Sequence, residues 1–276
     1  MGCGDDEPII TEAKVDYSFF VAGHTYGAPG INNIGLHPPF EDFYDTINTY
    51  PKLLSGFLTG DIVLASNDQN WDEVEASLQQ LNMPIYFAYG NHDILWSRPL
   101  VESRYGISYK AFMQENDLFI LLDPNIDEWN ISGDQLDFLT NTLDSLEENA
   151  EHIFVFFHQL IWWGNGNIMS NNRPNSLAGK ADSLNYWTAV EPIFNALDKP
   201  VFLFAGDVGA NQISPSLMYY KDGDITYISS GMGHQLKDNF LIIDVLDDES
   251  VRFKVKGLNC PDSSDCMGNI EDYPPL

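Results

Sequence analysis

Short runs of apolar residues recur along the chain, and several of them stop at a glycine followed by a polar residue. These runs lie at 17–22, 57–59, 85–89, 118–122, 153–157 and 201–205, with further strand-like runs at 225–229, 240–245 and 251–255. Short continuous apolar runs bounded by turn residues are typical of strands that are buried on both faces. The pattern therefore predicts a sheet-rich core.

Between these runs, apolar residues repeat at the spacing of amphipathic helices, at 72–81, 132–148 and 186–197. In the second stretch, Ser132 and Gln135 have the spacing of a capping box, in which both side chains bond to the backbone of the first helical turn. Alternating strands and helices predict an α/β chain, and the closely spaced final strands predict an antiparallel ending.

One domain accounts for most of the chain. Residues 1–15 are acidic and polar, which predicts a flexible N-terminal tail, and residues 258–276 are acidic and proline-rich, which predicts a second tail. The sequence between them shows no linker, repeat or low-complexity segment, so we expect a single domain over 16–257. No apolar run approaches the roughly 20 residues that are needed to span a bilayer.

The charge of the chain restricts its partners. It has 13 basic and 41 acidic residues, for a formal net charge of -28. Because nucleic-acid binding depends on Lys and Arg side chains that neutralise phosphates, we exclude a nucleic-acid partner. The same negative field attracts divalent cations, and a phosphorylated substrate would need a metal or well-placed cations to be held.

The three cysteines suggest two different features. Cys260 and Cys266 are close in sequence, and their pattern is compatible with a local disulfide or with two free thiols. Cys3 stands in Met-Gly-Cys-Gly-Asp-Asp-Glu, which is similar to the mature start of a bacterial lipoprotein. That similarity implies membrane attachment through a lipid on Cys3 and a location in the cell envelope. The alternative is an incidental cysteine in a flexible terminus.

Polar residues suited to metal binding or acid–base chemistry follow five of the predicted strands. They are His24, Asp61, Asn91 with His92, His158 and Asp207. Ligands of open α/β sheets bind at the carboxyl ends of the strands. A single residue of this kind would indicate a turn or a structural histidine, whereas the series predicts a shared site at one rim.

The same segments resemble the motifs of the calcineurin-like metallophosphoesterases. Gly-Asp stands at 60–61, Gly-Asn-His-Asp at 90–93, and a strand ends in His158. The segment 132–146 resembles the Gln-x-x-x-Leu helix of that family, and the similarity extends over about 16–256. The resemblance implies a four-layer α/β/β/α sandwich that hydrolyses phosphoesters with two metal ions.

Two motifs depart from the family pattern. Ala22 replaces the Asp of the family's Asp-x-His motif, which leaves His24. In the last motif, Gly-His-x-His, Asp207 stands at the first His and Gly209 at the second. The family's first metal ion is bound by four residues, and by the resemblance only two of them, His24 and Asp61, are present here.

By the same resemblance, the second metal keeps four residues that can act as ligands. They are Asp61, Asn91, His158 and Asp207. We therefore predict one divalent metal ion, and three oxygen donors with one nitrogen favour Mg²⁺, Mn²⁺ or Ca²⁺ over Zn²⁺ or Fe. The alternative is an empty site in which these residues hydrogen-bond one another.

The resemblance also implies catalytic roles. His92 is similar to the family's general acid for the leaving oxygen, and Asp93 would orient its ring as a carboxylate–histidine pair. His24 is placed to activate a water molecule if its ring does not bind a metal. The alternative for His92 is a buried histidine that is retained for hydrogen bonding.

The segment 162–180 follows His158 and must lie over the same rim. Its candidates for substrate binding are Trp162, Trp163, Arg173 and Lys180. Tryptophan rings stack on sugars and other polar organic molecules, and cations hold phosphate. The alternative is a structured loop whose tryptophans pack inward. His234 follows a later strand and is a further candidate at this rim.

The sequence thus predicts a metal-dependent phosphoesterase that acts on a small or glycan-linked phosphoester. One alternative is an inactive relative that binds envelope glycan, and another is a metal-dependent hydrolase of an acyl ester. The missing ligands at Ala22 and Gly209 favour the binding module. The intact motif at 90–93 and the carboxylate of Asp207 favour the enzyme.

Overall fold

The computed structural model describes residues 13–28, 30, 34–95, 97–164, 166–233, 235–260 and 266–275. Cys3, and with it the expected lipid attachment, lies outside these residues. Within the described ranges, every helix is too short or too polar to cross a membrane.

The described strands form two sheets. They are β1 (Val15–Ala22), β2 (Leu53–Thr59), β3 (Ile85–Ala88), β4 (Lys110–Gln114), β5 (Asp117–Leu121), β6 (Ile153–Phe157), β7 (Val201–Ala205), β8 (Leu217–Asp222), β9 (Ile225–Ser230), β10 (Asn239–Leu246) and β11 (Val251–Gly257). The first sheet has the order β11-β10-β1-β2-β3 and the second β4-β5-β6-β7-β9-β8. Strands β1, β2 and β3 run parallel to one another, and so do β5, β6, β7 and β9.

Helices cover the outer faces of both sheets. They are α1 (Pro38–Glu41), α2 (Tyr44–Thr49), α3 (Asp68–Leu78), α4 (Asn91–Ile94), α5 (Arg98–Tyr105), α6 (Gly133–Leu146) and α7 (Glu191–Asn195). One core joins the first sheet to α1–α3 and α5, and another joins the second sheet to α6 and α7. The predicted four-layer α/β/β/α sandwich of a single domain is therefore confirmed.

The predicted helix over 186–197 divides into a π-helix (Tyr186–Val190) and α7. Pro192 lies in the first turn of α7 and has no N–H for an α-helical hydrogen bond to the preceding turn. The wider π-turn accommodates this missing donor.

Phenylalanine side chains fill the space between the two sheets. Phe57 of β2 stacks on Phe156 of β6 with 4.0 Å between ring centroids, and Phe19 of β1 meets Phe154 edge-on at 4.9 Å. Aromatic pairs of this kind add stabilisation beyond the area they bury. They also hold the carboxyl ends of β2 and β6 opposite one another.

Three local expectations differ from the structure. The sequence pattern misses the edge strands β4 and β8; every residue of β4 is half-buried, and only the first two residues of β8 are buried. The capping box is wrong, because Gln135 Oε1 accepts from the Asp123 N–H (2.6 Å) and its Nε2 donates to the Asp123 carbonyl (3.0 Å). Ser132 instead donates to Asp127 Oδ2 (2.5 Å). Gln135 thus connects α6 to the end of β5.

The C-terminal segment packs against the domain. Cys260 and Cys266 form a disulfide, so the first of the two alternatives for these cysteines holds. Met267 and Ile270 are buried in the core between the sheets. The described part of the segment that we assigned to a C-terminal tail is therefore an integral part of this core.

His152 connects three parts of the fold. Its Nδ1 lies 2.8 Å from Asp117 Oδ1, and its Nε2 donates to the carbonyl of Glu249 (2.7 Å) in the turn after β10. Both ring nitrogens therefore face oxygens that accept hydrogen bonds. Although burial opposes the charged form, the Asp117 carboxylate raises the pKa of His152 above its ordinary value of 6.5.

We expect the stability that His152 contributes to depend on pH. A group whose pKa is raised in the folded state stabilises the fold fully at pH values below its unfolded-state pKa. This stabilisation is lost as pH rises through the folded-state pKa. The difference in the free energy of unfolding between wild type and His152→Gln should therefore be larger at about pH 6 than at about pH 9. Urea unfolding at both pH values measures it, and an unchanged difference would contradict the role of this ion pair.

Candidate metal centre

Four polar residues follow the ends of central strands in the two sheets. His24 follows β1, Asp61 follows β2, His158 follows β6 and Asp207 follows β7. None of these four residues is more than 2% exposed. The two facing sheets therefore bring two imidazoles and two carboxylates into one buried cluster.

Asp61 is the centre of this cluster. Its Oδ1 accepts from the His92 N–H (3.0 Å) and lies 3.4 Å from His158 Nε2. Its Oδ2 lies 3.3 Å from His24 Nε2. The two oxygens of one carboxylate therefore face different imidazoles, which is the arrangement of a bridging ligand.

Two glycines permit this close approach. A Cβ at Gly60, which has φ +81°, would lie 2.5 Å from His158 Nδ1. A Cβ at Gly90 would lie 2.2 Å from the Asp61 nitrogen. Neither position accepts a side chain without a shift of the backbone or ring that carries a candidate ligand.

Backbone carbonyls fix the orientation of both imidazoles. His158 Nδ1 donates to the Thr59 carbonyl (2.8 Å), and His24 Nδ1 donates to the Met232 carbonyl (3.1 Å). Because carbonyls only accept, the Nε2 atoms are left to face the Asp61 carboxylate. An imidazole oriented in this way is the usual form of a metal-binding histidine.

Asp207 completes a group of three ligand-capable residues. Its Oδ1 lies 3.8 Å from His158 Nε2, and the ligand atoms of Asp61, His158 and Asp207 all lie within 4.8 Å of one another. Asp207 Oδ2 and His158 Nε2 are buried and have no hydrogen-bond partner among the described residues. Buried polar atoms are rarely left unpaired, so this donor set fits a divalent cation.

The protonation of the cluster follows from its burial. Burial raises the pKa of Asp207 to about 8, although His158 opposes this shift. Burial disfavours a charged His158, but Asp61 and Asp207 outweigh it and raise its pKa to about 10. The carboxylates thus favour positive charge at His158 Nε2, where a metal would replace the proton. Burial lowers the pKa of His24 to about 4, which keeps this ring neutral near pH 7.

His92 and Asp93 do not form the predicted pair. His92 Nδ1 contacts the Leu64 carbonyl (2.8 Å). The Asp93 carboxylate is buried and accepts from the N–H groups of Ile62 (2.8 Å), Val63 (3.1 Å) and Gly90 (2.8 Å). The prediction that Asp93 orients the His92 ring is wrong, because Asp93 holds the backbone beside Asp61 instead.

Asn91 begins α4 directly after Gly90 and is half-buried. The next residue, His92, donates its N–H to Asp61, so Asn91 lies at the same rim. The role of Asn91 as a metal ligand stays a prediction.

The predicted substrate-binding residues do not form one surface. Trp162 is fully buried against Phe157 and Tyr227, so its predicted contact with substrate is wrong. Trp163 and Lys180 line one small cleft of about 90 Å³, together with Trp187. Arg173 is exposed, and His234 lies outside the described residues.

Two residues at the site have no signal in the sequence motifs. The Tyr26 ring lies between those of His24 and His92, with centroid distances of 4.4 and 5.0 Å. The Asn175 N–H donates to the Asp207 carbonyl (2.9 Å), which brings the loop after β6 beside the cluster. Tyr26 stands two residues after His24 in sequence, and this is its only sequence indication of a place at the site. The position of Asn175 depends on how the long loop after β6 folds, which no motif indicates.

A further polar link that the motifs do not reveal joins the two sheets at this rim. Gln159, the neighbour of His158, donates through Nε2 to Asn125 Oδ1. Asn125 Nδ2 donates to the Tyr89 carbonyl (2.8 Å) just beyond β3. The end of β6 is therefore connected through Asn125 to the end of β3.

A second group with metal-ligand geometry consists of Asp117, Glu151 and His152. The Asp117 carboxylate already accepts from Tyr17, from the His152 N–H and from the His152 ring. The other ring nitrogen of His152 bonds to Glu249. Because Asp117 and His152 already have these partners, this group is a structural network.

Comparisons with solved structures agree with the fold of the chain. Neither a family model nor a curated protein matches the chain. Among solved structures, a purple acid phosphatase from yellow lupin (Lupinus luteus) seeds superposes on 88% of the chain with a TM-score of 0.61 at 12% identity. The chain has the calcineurin-like metallophosphoesterase fold. It spans about half (51%) of the length of that phosphatase.

Two other solved structures with the metallophosphoesterase fold match more distantly. A putative 5'-nucleotidase from Staphylococcus aureus matches with a TM-score of 0.45 at 13% identity, over 87% of this chain and 53% of its own. The vacuolar protein sorting 29 protein of Cryptosporidium parvum matches with a TM-score of 0.38 at 10% identity, over 88% and 98%. The resemblance that the motifs suggested is thus confirmed as a fold by the lupin phosphatase.

Gly60 and Gly106 offer a matched test of the close approach at the site. Both have positive φ (+81° and +85°), but a Cβ at Gly106 would meet nothing within 4 Å. We expect Gly106→Ala to lower the free energy of unfolding by about 1–3 kcal/mol, because its φ of +85° and ψ of -169° are essentially restricted to glycine. Gly60→Ala should lower the free energy of unfolding by about 1–3 kcal/mol more than Gly106→Ala does, because its methyl group collides with His158. Denaturant unfolding measures both, and equal losses would contradict the tight packing of Gly60 on His158.

Proposed function

We propose that this protein is a metal-dependent phosphoesterase that holds one divalent ion between Asp61, Asn91, His158 and Asp207. The observation that carries the proposal is the buried group of Asp61, His158 and Asp207, whose ligand atoms lie within 4.8 Å of one another. Two of these atoms, His158 Nε2 and Asp207 Oδ2, are buried and make no hydrogen bond to the described residues. Oxygen donors predominate, which favours Mg²⁺, Mn²⁺ or Ca²⁺.

The backbone around Gly209 supports one metal ion in place of two. Gly209 has φ +83°, and a Cβ there would lie 2.9 Å from the Gly231 carbonyl carbon. A histidine at this position would need the neighbouring loop to move. Ala22 offers no donor, so His24 and Asp61 Oδ2 are the remnant of the other metal position.

Different side chains carry out the separate proton transfers of hydrolysis. A bound divalent ion supplies Lewis acidity toward a phosphoryl oxygen and toward water. His24 carries its proton on Nδ1, which donates to Met232, so its Nε2 accepts a proton from the attacking water. His92 Nδ1 is bound to Leu64, so its Nε2 delivers a proton to the leaving oxygen. Asp93 acts as a positioning residue through the backbone beside Asp61.

A second candidate function is glycan binding without turnover, at the cell envelope to which a lipid on Cys3 would attach the chain. The observation that favours it is the loss of donors at Ala22 and Gly209. For the first candidate, we propose a small or glycan-linked phosphoester as substrate. Metal content and turnover separate the two functions.

We expect about one equivalent of Mn²⁺ per chain after equilibrium dialysis, since one complete ligand set remains. Asp207→Asn should abolish this binding, because the amide keeps the shape but loses the charge. His152→Gln is the matched control, since it removes a member of the other carboxylate–histidine group and should leave the metal in place. Elemental analysis measures the content. A metal-free wild type would contradict the enzyme, and loss of metal in the control alone would assign it to the other group.

His92→Asn should affect substrates according to their leaving groups. A general acid contributes about 10²–10⁴-fold where the leaving oxygen needs a proton. We expect kcat/KM for an alkyl phosphoester to fall by about 10²-fold or more, with a much smaller loss for a nitrophenyl phosphoester. Steady-state kinetics with both substrates measures the ratio. Equal losses would contradict proton donation by His92.

A further inference from the structure

Among the described residues, no strand pairs with the outer edge of β11, which leaves backbone hydrogen-bonding groups there unused. This strand ends the first sheet and pairs with β10. In the turn between the two strands, the Leu246 N–H donates to the Ser250 carbonyl (2.9 Å). Hydrogen-bonded pairs alternate along antiparallel strands, so the N–H and C=O groups of Val251, Phe253 and Val255 point away from β10. This edge therefore offers donors and acceptors to another strand.

A row of cations follows the same strand. Arg252, Lys254 and Lys256 alternate along β11 and share one face, about 7 Å apart from one to the next. The side chains of Arg252 and Lys254 are 47% and 37% exposed. Three of the 13 basic residues of a chain with a net charge of -28 therefore stand within five positions.

A buried carboxylate holds part of this row in place. Asp244 is fully buried and accepts from Arg252 Nη2 (2.8 Å), Ser18 (2.8 Å) and Tyr50 (3.0 Å), with Lys254 Nζ at 3.0 Å. One carboxylate does not neutralise two cations, and Lys256 adds a third. The row therefore keeps positive charge in excess, and two of its members are already ordered before any ligand binds.

The cations line a groove and not a closed pocket. The groove has a volume of about 590 Å³ and follows the strand over consecutive residues from Val251 to Lys256. Tyr50 and Tyr219 line it, and Gly268, Asn269 and Glu271 of the C-terminal segment form part of its wall. Together with Asp244, Glu271 sets two carboxylates against three cations, so one positive charge stays in excess. A groove of this length fits an extended chain.

We infer that this edge binds an extended acidic peptide as an additional strand of the first sheet. The peptide backbone pairs with the outward groups of Val251, Phe253 and Val255, as in β-strand addition. Carboxylates at every second peptide position then face the cations of the row. A second copy of this edge is a poor partner, because it would bring two rows of cations together.

The positive row alone would also attract an anionic polysaccharide, but a polysaccharide has no amide groups to match the outward backbone. A labelled ten-residue peptide with alternating Thr and Glu tests the inference by fluorescence anisotropy at low salt. The comparison peptides have the same composition with contiguous Glu, or carry N-methyl groups on the amides that would face β11. We expect the alternating peptide to bind at least about tenfold more tightly than either, since each 1.4 kcal/mol is a factor of ten.

Lys256→Glu is the informative variant, because Lys256 does not contact Asp244 in the described structure and its change should leave the fold intact. We expect this variant to weaken binding of the alternating peptide by about tenfold or more. Lys221→Glu, on the edge strand β8 of the other sheet, is the matched control and should bind as the wild type does. Equal binding of all three peptides, no binding at all, or tighter binding of polygalacturonate would each overturn strand addition at this edge.

Discussion

The position of the Asp61 carboxylate, between two imidazoles and between two sheets, is the constraint on which the rest of the site depends. Asp61 has a left-handed backbone (φ +50°) directly after Gly60, a conformation that costs a residue other than glycine about 1–3 kcal/mol. The surrounding hydrogen bonds maintain it, since Asp93 accepts from the two N–H groups after Asp61 and the His24 N–H donates to the Gly60 carbonyl. Asp93 thus supports the site by holding the chain beside its central carboxylate.

The packing of the sheets and the geometry of the site are parts of one arrangement. The stacked rings of Phe57 and Phe156 fix β2 against β6, and Asp61 and His158 follow those strands within a few residues. His158 then donates across the interface to the Thr59 carbonyl. A metal held by Asp61 and His158 would therefore join the two sheets directly, and its binding free energy would add to the stability of the fold.

Most of the fold and the main candidate ligands can be predicted because they depend on local signals. Buried parallel strands are continuous apolar runs, and their ends carry His158 and Asp207 in a recognisable order. Orientation depends on tertiary packing and cannot be predicted in this way. Asp93 is adjacent to His92 in sequence but turns toward the backbone after Asp61, and Trp162 follows the rim yet turns into the core. The edge strand β4 was missed because its residues are only half-buried, which blurs the apolar pattern.

The central claim is that one metal ion occupies the position between Asp61, His158 and Asp207. Anomalous diffraction from crystals soaked in Mn²⁺ tests it most directly, because the map shows the number and the position of bound ions. We predict a single peak about 2.0–2.6 Å from Asp61 Oδ1, His158 Nε2 and an Asp207 oxygen. Two peaks about 3.5–4 Å apart, with the second beside His24, would contradict a mononuclear centre. A map without a peak at these residues would contradict a metal centre altogether.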